Sequence, residues 1–200
     1  MNVVLKDGTG SGKTGRITGA NRVTTLALQV PHQMHVALVK EQAYQVQGSA
    51  SPNNNTEGLL HLKNTSESLY LIITYIRAQF YDFAGGTAVP NAATYFDYGH
   101  GQTYTSGGTA ATPINTNAGS SNAAAVTAYD SSAASLVMGG TFSSLDTYHV
   151  KEEAEMVVWR KEGSIVITPG KTFTLRITTD HTSGVAYGRV SFLMVDPDEL

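Results

Sequence analysis

Cysteine is absent from the 200 residues of the chain. Disulfide bonds and metal sites built from thiolates are therefore excluded. A chain of this length buries most of the surface that it exposes when unfolded, so it needs neither kind of cross-link for stability. Length and composition are compatible with one large β-sandwich or, at most, two small domains.

Long apolar runs are absent too. No stretch approaches the roughly 18 apolar residues that a membrane helix needs. The apolar run at Val3–Leu5 is much shorter than the core of a secretory signal peptide. We therefore expect a soluble protein without a membrane partner, which stays in the compartment where it is made.

Basic charge is missing from the middle of the chain. No lysine or arginine lies between Arg77 and Lys151, and the net charge is -3 at pH 7. This balance argues against general nucleic-acid binding. Residues 1–22 carry four cations against one anion, whereas Asp196–Leu200 is acidic. The pattern predicts either separate contact surfaces or ordinary variation in surface charge.

One segment imitates a nucleotide-binding motif. Residues 8–14 read Gly-Thr-Gly-Ser-Gly-Lys-Thr and resemble a phosphate-binding loop. The motif needs a glycine five positions before Gly12, and Asp7 occupies that position. Its carboxylate would repel phosphates, and the glycine-rich segment that follows predicts no helix. We therefore expect no nucleotide and no other cofactor.

Other catalytic and metal-binding signatures are weak. His32 and His35 supply two imidazoles, but a metal site requires further ligands on a rigid frame. The sequence places no other histidine beside them, and it contains no Gly-x-Ser-x-Gly motif. We expect neither catalysis nor a metal site.

Two segments set a carboxylate among aromatic side chains, Phe80-Tyr81-Asp82-Phe83 and Tyr95-Phe96-Asp97-Tyr98. Aromatic rings stack on the apolar faces of sugars, and two carboxylates can form a glycosidase pair. The same pattern is typical of strands with alternating buried rings. Three interpretations are therefore open: sugar binding, glycoside hydrolysis and plain strands.

Alternation of apolar and polar residues predicts β-strands along much of the chain. It is strictest at Thr172–Thr178, which follows a predicted type II turn at Thr168–Lys171. Leu69–Ala78 is apolar on both faces and predicts a central strand. Further strands are predicted at Leu26–Val30, Val36–Lys40, Tyr44–Gln47, Leu60–Asn64, Ser164–Ile167 and Arg189–Val195. Only Lys151–Trp159 has a pattern that accommodates a helical turn or two.

Strands at both ends of the chain predict an all-β fold, an antiparallel β-sandwich that is jelly-roll-like or a related Greek-key arrangement. Residues 1–22 are rich in glycine and predict an extended N-terminal arm that orders only against a partner. Residues 23–200 then form a single domain, with a long Gly/Ala/Ser/Thr-rich insertion at about 84–147. We expect this insertion to be ordered and to contain a strand or two.

The insertion is also the predicted contact between copies of the chain. It lacks lysine and arginine but keeps aromatic side chains, a composition that favours interfaces. We therefore expect a closed, symmetric homo-oligomer. The candidate interface residues are Tyr95, Phe96, Tyr98 and Tyr104.

The opening Val4-Leu5-Lys6-Asp7-Gly8-Thr9-Gly10-Ser11-Gly12 resembles that of small virion structural proteins of tailed bacteriophages. Further similar segments are Arg16-Ile17-Thr18-Gly19-Ala20-Asn21-Arg22, Ala43-Tyr44-Gln45-Val46, Leu60-His61-Leu62-Lys63-Asn64, Thr112-Pro113-Ile114-Asn115-Thr116-Asn117 and Ile167-Thr168-Pro169-Gly170. The resemblance implies a capsid decoration (cement) protein, a β-sandwich that is bound as a homotrimer to the shell.

This resemblance also implies partners and a location. The protein would bridge shell subunits, bind the major capsid protein or another virion protein, and reside in the virion after assembly in the host cytoplasm. The candidate docking residues of the arm are Lys6, Asp7, Gly8, Gly10, Gly12, Lys13, Arg16 and Arg22. The alternative function is a host-recognition module, in a fibre or receptor-binding protein, that reads surface glycans.

Overall fold

The computed structural model of the protein describes residues 5–6, 14–17, 23–24, 32–53, 55–81, 94–151 and 154–199. Nearly all of its regular structure is β. The strands are β1 (Leu5–Lys6), β2 (Thr14–Ile17), β3 (Val23–Thr24), β4 (Ala43–Ala50), β5 (Thr56–Asn64), β6 (Tyr70–Tyr81), β7 (Tyr95–His100), β8 (Thr103–Gly107), β9 (Thr109–Ala111), β10 (Ile114–Asn115), β11 (Val126–Asp130), β12 (Leu136–Gly139), β13 (Ser143–His149), β14 (Met156–Ile167), β15 (Thr172–Thr178) and β16 (Val185–Val195). The helices are α1 (His32–Leu38) and a 3-10 turn at Pro197–Glu199.

Two antiparallel sheets pack face to face. One has five strands in the order β10-β4-β16-β6-β14, and the other has six in the order β13-β7-β15-β5-β11-β9. Strands β8 and β12 form a separate two-stranded sheet, and β1–β3 form a small sheet within a compact unit of their own, Met1–Pro31. The predicted all-β antiparallel sandwich is confirmed.

The core lies between the two large sheets. Neighbouring strands of the five-stranded sheet place their inward side chains in register, so that Val46, Val190, Ile76 and Trp159 form one row. The facing sheet contributes Leu60, Leu62, Phe173, Leu175 and Ile177, and all of these core residues belong to one buried cluster. Each such side chain contributes roughly 1.5–3 kcal/mol through burial.

The predicted turn before β15 is confirmed. Gly170 has φ 76°, and the amide of Lys171 donates to the carbonyl of Thr168 at 3.1 Å. A type II turn needs positive φ at its third residue, which glycine accepts without strain. The turn carries the chain from β14 in one sheet to β15 in the other.

The prediction of a strand at Val36–Lys40 is wrong, because helix α1 ends within this segment. Val36 is fully buried with Ile72, Leu193 and Val195 on the outer side of the five-stranded sheet. Leu38 is 61% exposed, so only one side of the segment is covered by the sheet, as on a surface helix. The helix also explains the apolar outer face at the beginning of β6. No helix among the described residues is long and apolar enough to span a bilayer.

The segment Lys151–Trp159, whose pattern accommodates a helical turn, contains no helix among its described residues. The described part of this segment bends at Ala154, where φ is 58°, and then enters β14. Val157 and Trp159 are buried while Met156 and Val158 are exposed. This period of two is that of a strand at the edge of a sheet.

The segment predicted as an insertion contributes much of the six-stranded sheet. Residues 94–147 supply β7 to β12 and most of β13, rather than a strand or two. Small polar side chains do not prevent this pairing, because the ladder is built from backbone groups. The predicted strand Leu26–Val30 lies outside the described residues.

Candidate functional site

The predicted docking arm is described only in part. Lys6 lies in β1 and Arg16 lies in β2. The remaining candidates, Asp7, Gly8, Gly10, Gly12, Lys13 and Arg22, lie outside the described residues. Docking through the arm therefore stays a prediction.

The structure corrects half of the predicted subunit interface. Phe96 is fully buried and Tyr98 is 2% exposed, both within the core of their own subunit. They alternate with Tyr95 and Asp97 along β7, so their rings face the opposite sheet. A neighbouring copy cannot reach them, and burial raises the pKa of the Tyr98 phenol.

The other two candidates lie nearer the surface. The ring of Tyr95 lies 5.2 Å from that of His149. Tyr104 stacks on Tyr129 with 3.8 Å between the ring centroids, and its hydroxyl donates to the carbonyl of Gly107 at 2.9 Å. Tyr104 therefore holds the two-stranded sheet β8–β12 against the six-stranded sheet. A contact of Tyr95 or Tyr104 with another copy stays a prediction.

The carboxylate of Asp97 has a structural partner. It is 3% exposed and pairs with Arg176, whose Nε donates to Asp97 Oδ1 at 3.1 Å. A second bond joins Arg176 Nη2 to Oδ2, and the guanidinium covers the ring of Phe142. Because both oxygens of this carboxylate accept hydrogen bonds from Arg176, the carboxylate is poorly placed to act on a sugar. Asp82, its proposed glycosidase partner, lies outside the described residues.

The most distinctive surface is the outer face of the five-stranded sheet beyond helix α1. Strands β4, β16, β6 and β14 are in register there, and their outward side chains form three rows. We call this surface the open face. Its rows are Gln45–Ser191–Tyr75–Arg160, Gln47–Arg189–Arg77–Val158 and Ser49–Tyr187–Gln79–Met156.

The composition of the open face is that of an interface. Its twelve positions include three arginines, two tyrosines, a methionine and a valine, with no lysine, aspartate or glutamate. Protein interfaces are enriched in Tyr, Met and Arg and depleted in Lys, Asp and Glu. Met156 is 49% exposed and Val158 is 38% exposed, although both are apolar.

The edge of the sheet adds to this surface. Strand β14 is twelve residues long and lies at one end of the strand order. A long edge strand with exposed apolar side chains is a ready contact for another chain, unless charge or a covering segment blocks it. Here the exposed apolar residues Met156, Val158 and Val166 lie along the strand itself.

A groove of about 570 Å³ crosses the open face. Tyr81 and Tyr187 line it, with their rings in edge-to-face contact and the ring centroids 6.0 Å apart. The amides of Gln47 and Gln79 also line it. A groove of this size with aromatic and amide groups is large enough for a short peptide segment or a sugar.

Two arginines meet in this groove without an acidic partner in the part of the chain that the structure describes. Arg77 and Arg189 are directly opposite each other on adjacent strands. Among the described residues, neither has a carboxylate oxygen within 4.0 Å. The groove does contain Asp130, but its carboxylate accepts bonds from the amide of Ser49 and from Ser132. Like charges opposite each other are unfavourable, so an anionic ligand would stabilise this pair.

The sequence analysis missed the open face. One signal was present, because Tyr75, Arg77, Gln79 and Tyr81 alternate with the buried residues of β6. The prediction of a strand apolar on both faces holds only for its first half, where α1 covers Ile72. The other strands of the open face come from segments as far apart as Gln47 and Arg189, and a sequence does not show their register.

The described part of the chain contains no group of three or more His, Asp or Glu side chains that could hold a metal ion. His61 is buried, and its Nδ1 lies 3.0 Å from the hydroxyl of Thr174. Comparison of the chain with protein-family models, curated proteins and solved structures yields no match.

Proposed function

We propose that the chain is a non-enzymatic structural subunit of a bacteriophage particle, which self-associates and decorates the capsid. The open face is the observation that carries this proposal. It combines arginine, tyrosine and exposed apolar side chains on a rigid sheet, the composition of a protein contact. Assembly of this kind requires no cofactor and no chemistry.

The strand order also supports the proposal. Strands β4-β16-β6-β14 and β13-β7-β15-β5 occupy the two sheets, and the chain crosses between sheets at almost every step. This order is compatible with a jelly roll, a fold found in viral capsid and lectin domains. Because one fold serves many functions, the fold supports the proposal only together with the open face.

The size of the open face indicates that it does not act alone. Four strands about 4.8 Å apart and three rows about 6.8 Å apart cover roughly 400 Å². A stable interface buries about 800 Å² on each partner. We therefore propose that the docking arm, with the two-stranded sheet β8–β12, completes the contacts between copies and with the major capsid protein.

Copy number in purified particles tests this function. Quantitative mass spectrometry of the phage that encodes the chain should find hundreds of copies per particle, because a decoration protein follows the shell lattice. The chain should also load onto particles that lack it, and Val158→Lys should load poorly. Lys171→Glu, at an exposed turn away from the open face, is the control. Absence from the particle, or equal loading of both variants, would contradict the proposal.

A glycan-reading module is the second candidate, and the groove favours it. Tyr81 and Tyr187 offer ring faces, while Gln47 and Gln79 offer amides for sugar hydroxyls. A few dozen copies or fewer per particle, together with glycan binding that Tyr187→Ala abolishes, would favour this function over decoration.

A further inference from the structure

The groove and an acidic segment of the same chain have complementary charge. The groove presents Arg77 and Arg189 without a carboxylate partner among the described residues. The segment Asp196–Glu199 directly follows β16 and carries three carboxylates in four residues. Arginine binds carboxylates through paired hydrogen bonds, and lost hydration makes such bonds stronger in a groove than on an open surface.

The acidic segment is accessible and compact. Asp196 and Asp198 are both exposed. The amide of Asp198 donates to Asp196 Oδ1 at 3.0 Å, and Pro197 to Glu199 form a 3-10 turn. The turn therefore presents Pro197 between two aspartates, so that an apolar ring is flanked by negative charge.

One copy cannot make this contact with itself. Arg189 lies near the beginning of β16, whereas Asp196 follows its last residue. Seven residues of extended strand separate them by roughly 23 Å. The strand between them is paired on both sides and cannot fold back. The acidic segment can therefore reach only the groove of another copy.

We propose that the acidic segment Asp196–Glu199 of one copy docks in the groove of a second copy. The aspartates bind the guanidinium groups of Arg77 and Arg189, and Pro197 packs on the surface formed by the contacting rings of Tyr81 and Tyr187. This contact rests on the self-association in the proposed function and names the surfaces that make it. It does not depend on where the assembly lies in a particle.

The symmetry of the assembly follows from this contact. A groove on one copy and a segment on the next form a head-to-tail interface, in which the two copies use different surfaces. Such interfaces produce closed rings when the rotation closes and filaments when it does not. A ring of three would join three grooves to three acidic segments and leave none free.

Charge reversal in two separate variants tests the contact. The groove variant is Arg77→Glu with Arg189→Glu, and the segment variant is Asp196→Lys with Asp198→Lys. Each alone should lose self-association in light scattering, because like charges then face each other. Mixing the two variants should restore association as alternating copies, since the groove of each variant then meets a segment of opposite charge on the other. A ring of three cannot alternate, so the mixture should form pairs or even-numbered assemblies rather than the trimer of the parent. The matched controls are Glu67→Lys and Lys171→Glu, which reverse exposed charges outside both surfaces.

A peptide measures the contact directly and separates the possible failures. A labelled Asp-Pro-Asp-Glu peptide should bind the parent protein in fluorescence anisotropy, and the groove variant should bind it at least tenfold more weakly. Circular dichroism should show that every variant is folded. The proposal is overturned if the groove variant binds the peptide as the parent does. It is also overturned if the segment variant associates normally, which would assign the groove to another ligand such as an anionic glycan. The proposed function is tested independently by the number of copies of the chain in purified particles.

Discussion

At the scale of single residues, His61 shows how burial fixes a protonation state. The imidazole is 1% exposed, and its Nε2 has no hydrogen-bond partner among the described residues. Burial lowers the pKa of His61 to about 4, and the charge of Lys63 adds to this effect. The folded protein therefore holds a neutral imidazole that the unfolded chain protonates at an ordinary pKa.

This difference predicts a loss of stability in mild acid. In the unfolded chain the histidine pKa is about 6.5, so between that value and pH 4 unfolding takes up a proton. The free energy of unfolding should fall as the pH drops through this window, by roughly 3 kcal/mol in total. Urea unfolding at a series of pH values measures it. His61→Gln should flatten the profile in this window, whereas His100→Gln, at an exposed position, should leave the slope unchanged. Equal slopes for all three proteins would show that His61 is not the group responsible.

The buried ion pair gives a second prediction at this scale. Arg176→Ala leaves the carboxylate of Asp97 buried without its cation, which typically costs about 3–5 kcal/mol. The double variant Arg176→Ala with Asp97→Ala should recover part of this loss, because no unpaired charge then remains. Lys171→Ala is the control, because that lysine is exposed at the turn before β15 and lies in neither proposed contact surface. Urea unfolding should show a change within about 0.5 kcal/mol for the control. If Arg176→Ala also changed the free energy of unfolding by only about 0.5 kcal/mol, the structural role of the ion pair would be refuted.

At the scale of elements, the alternation of apolar and polar residues predicted strands correctly where one face of the strand is buried. The alternation at Thr172–Thr178 predicts β15 correctly, because Phe173, Leu175 and Ile177 all enter the core. The same rule failed at Val36–Lys40, since a short apolar segment is compatible with either period. The helix is favoured at this segment because it covers an apolar patch on the outer face of the sheet, around Ile72 and Leu193.

Close approach of the two sheets at β16 leads to a prediction about this element. A Cβ added at Gly188 would lie 2.8 Å from Leu59 Cδ2 and 2.9 Å from Leu175 Cδ2. Gly188→Ala should therefore destabilise the fold by roughly 1–3 kcal/mol through overpacking. Gly119→Ala is the matched control, because its added Cβ meets only Asn117 Oδ1, at 3.6 Å. Thermal unfolding of both variants is the measurement, and equal melting temperatures would mean that the sheets have room to adjust.

At the scale of the whole molecule, the open face could not be predicted from the sequence. The class of fold follows from strand patterns, but the open face requires the register of four strands from distant parts of the chain. The predicted interface at Phe96 and Tyr98 failed for the same reason, because aromatic composition does not reveal which sheet face a ring occupies. Charge drew attention to the acidic residues of Asp196–Leu200 in the sequence, and their role as a contact surface stays a prediction.

The docking arm supplies a prediction that separates folding from assembly. Residues 1–22 contain too little apolar area to stabilise a core. A variant without them should melt close to the temperature of the intact protein, yet fail to associate with particles. Calorimetry and particle co-sedimentation measure the two properties. A large fall in melting temperature would place the arm in the core, and retained particle binding would show that it does not dock.

The mass of the isolated protein tests the central claim, self-assembly through the open face, most directly. The parent protein at micromolar concentration should show a mass of about 64 kDa in light scattering, three times the 21.2 kDa of one chain. Val158→Lys places a charge at the exposed edge of the face and should shift the mass toward the monomer without lowering the melting temperature. Lys171→Glu should keep the mass of the parent. A parent protein that is monomeric, does not load onto particles and behaves like Val158→Lys in both assays would contradict the account.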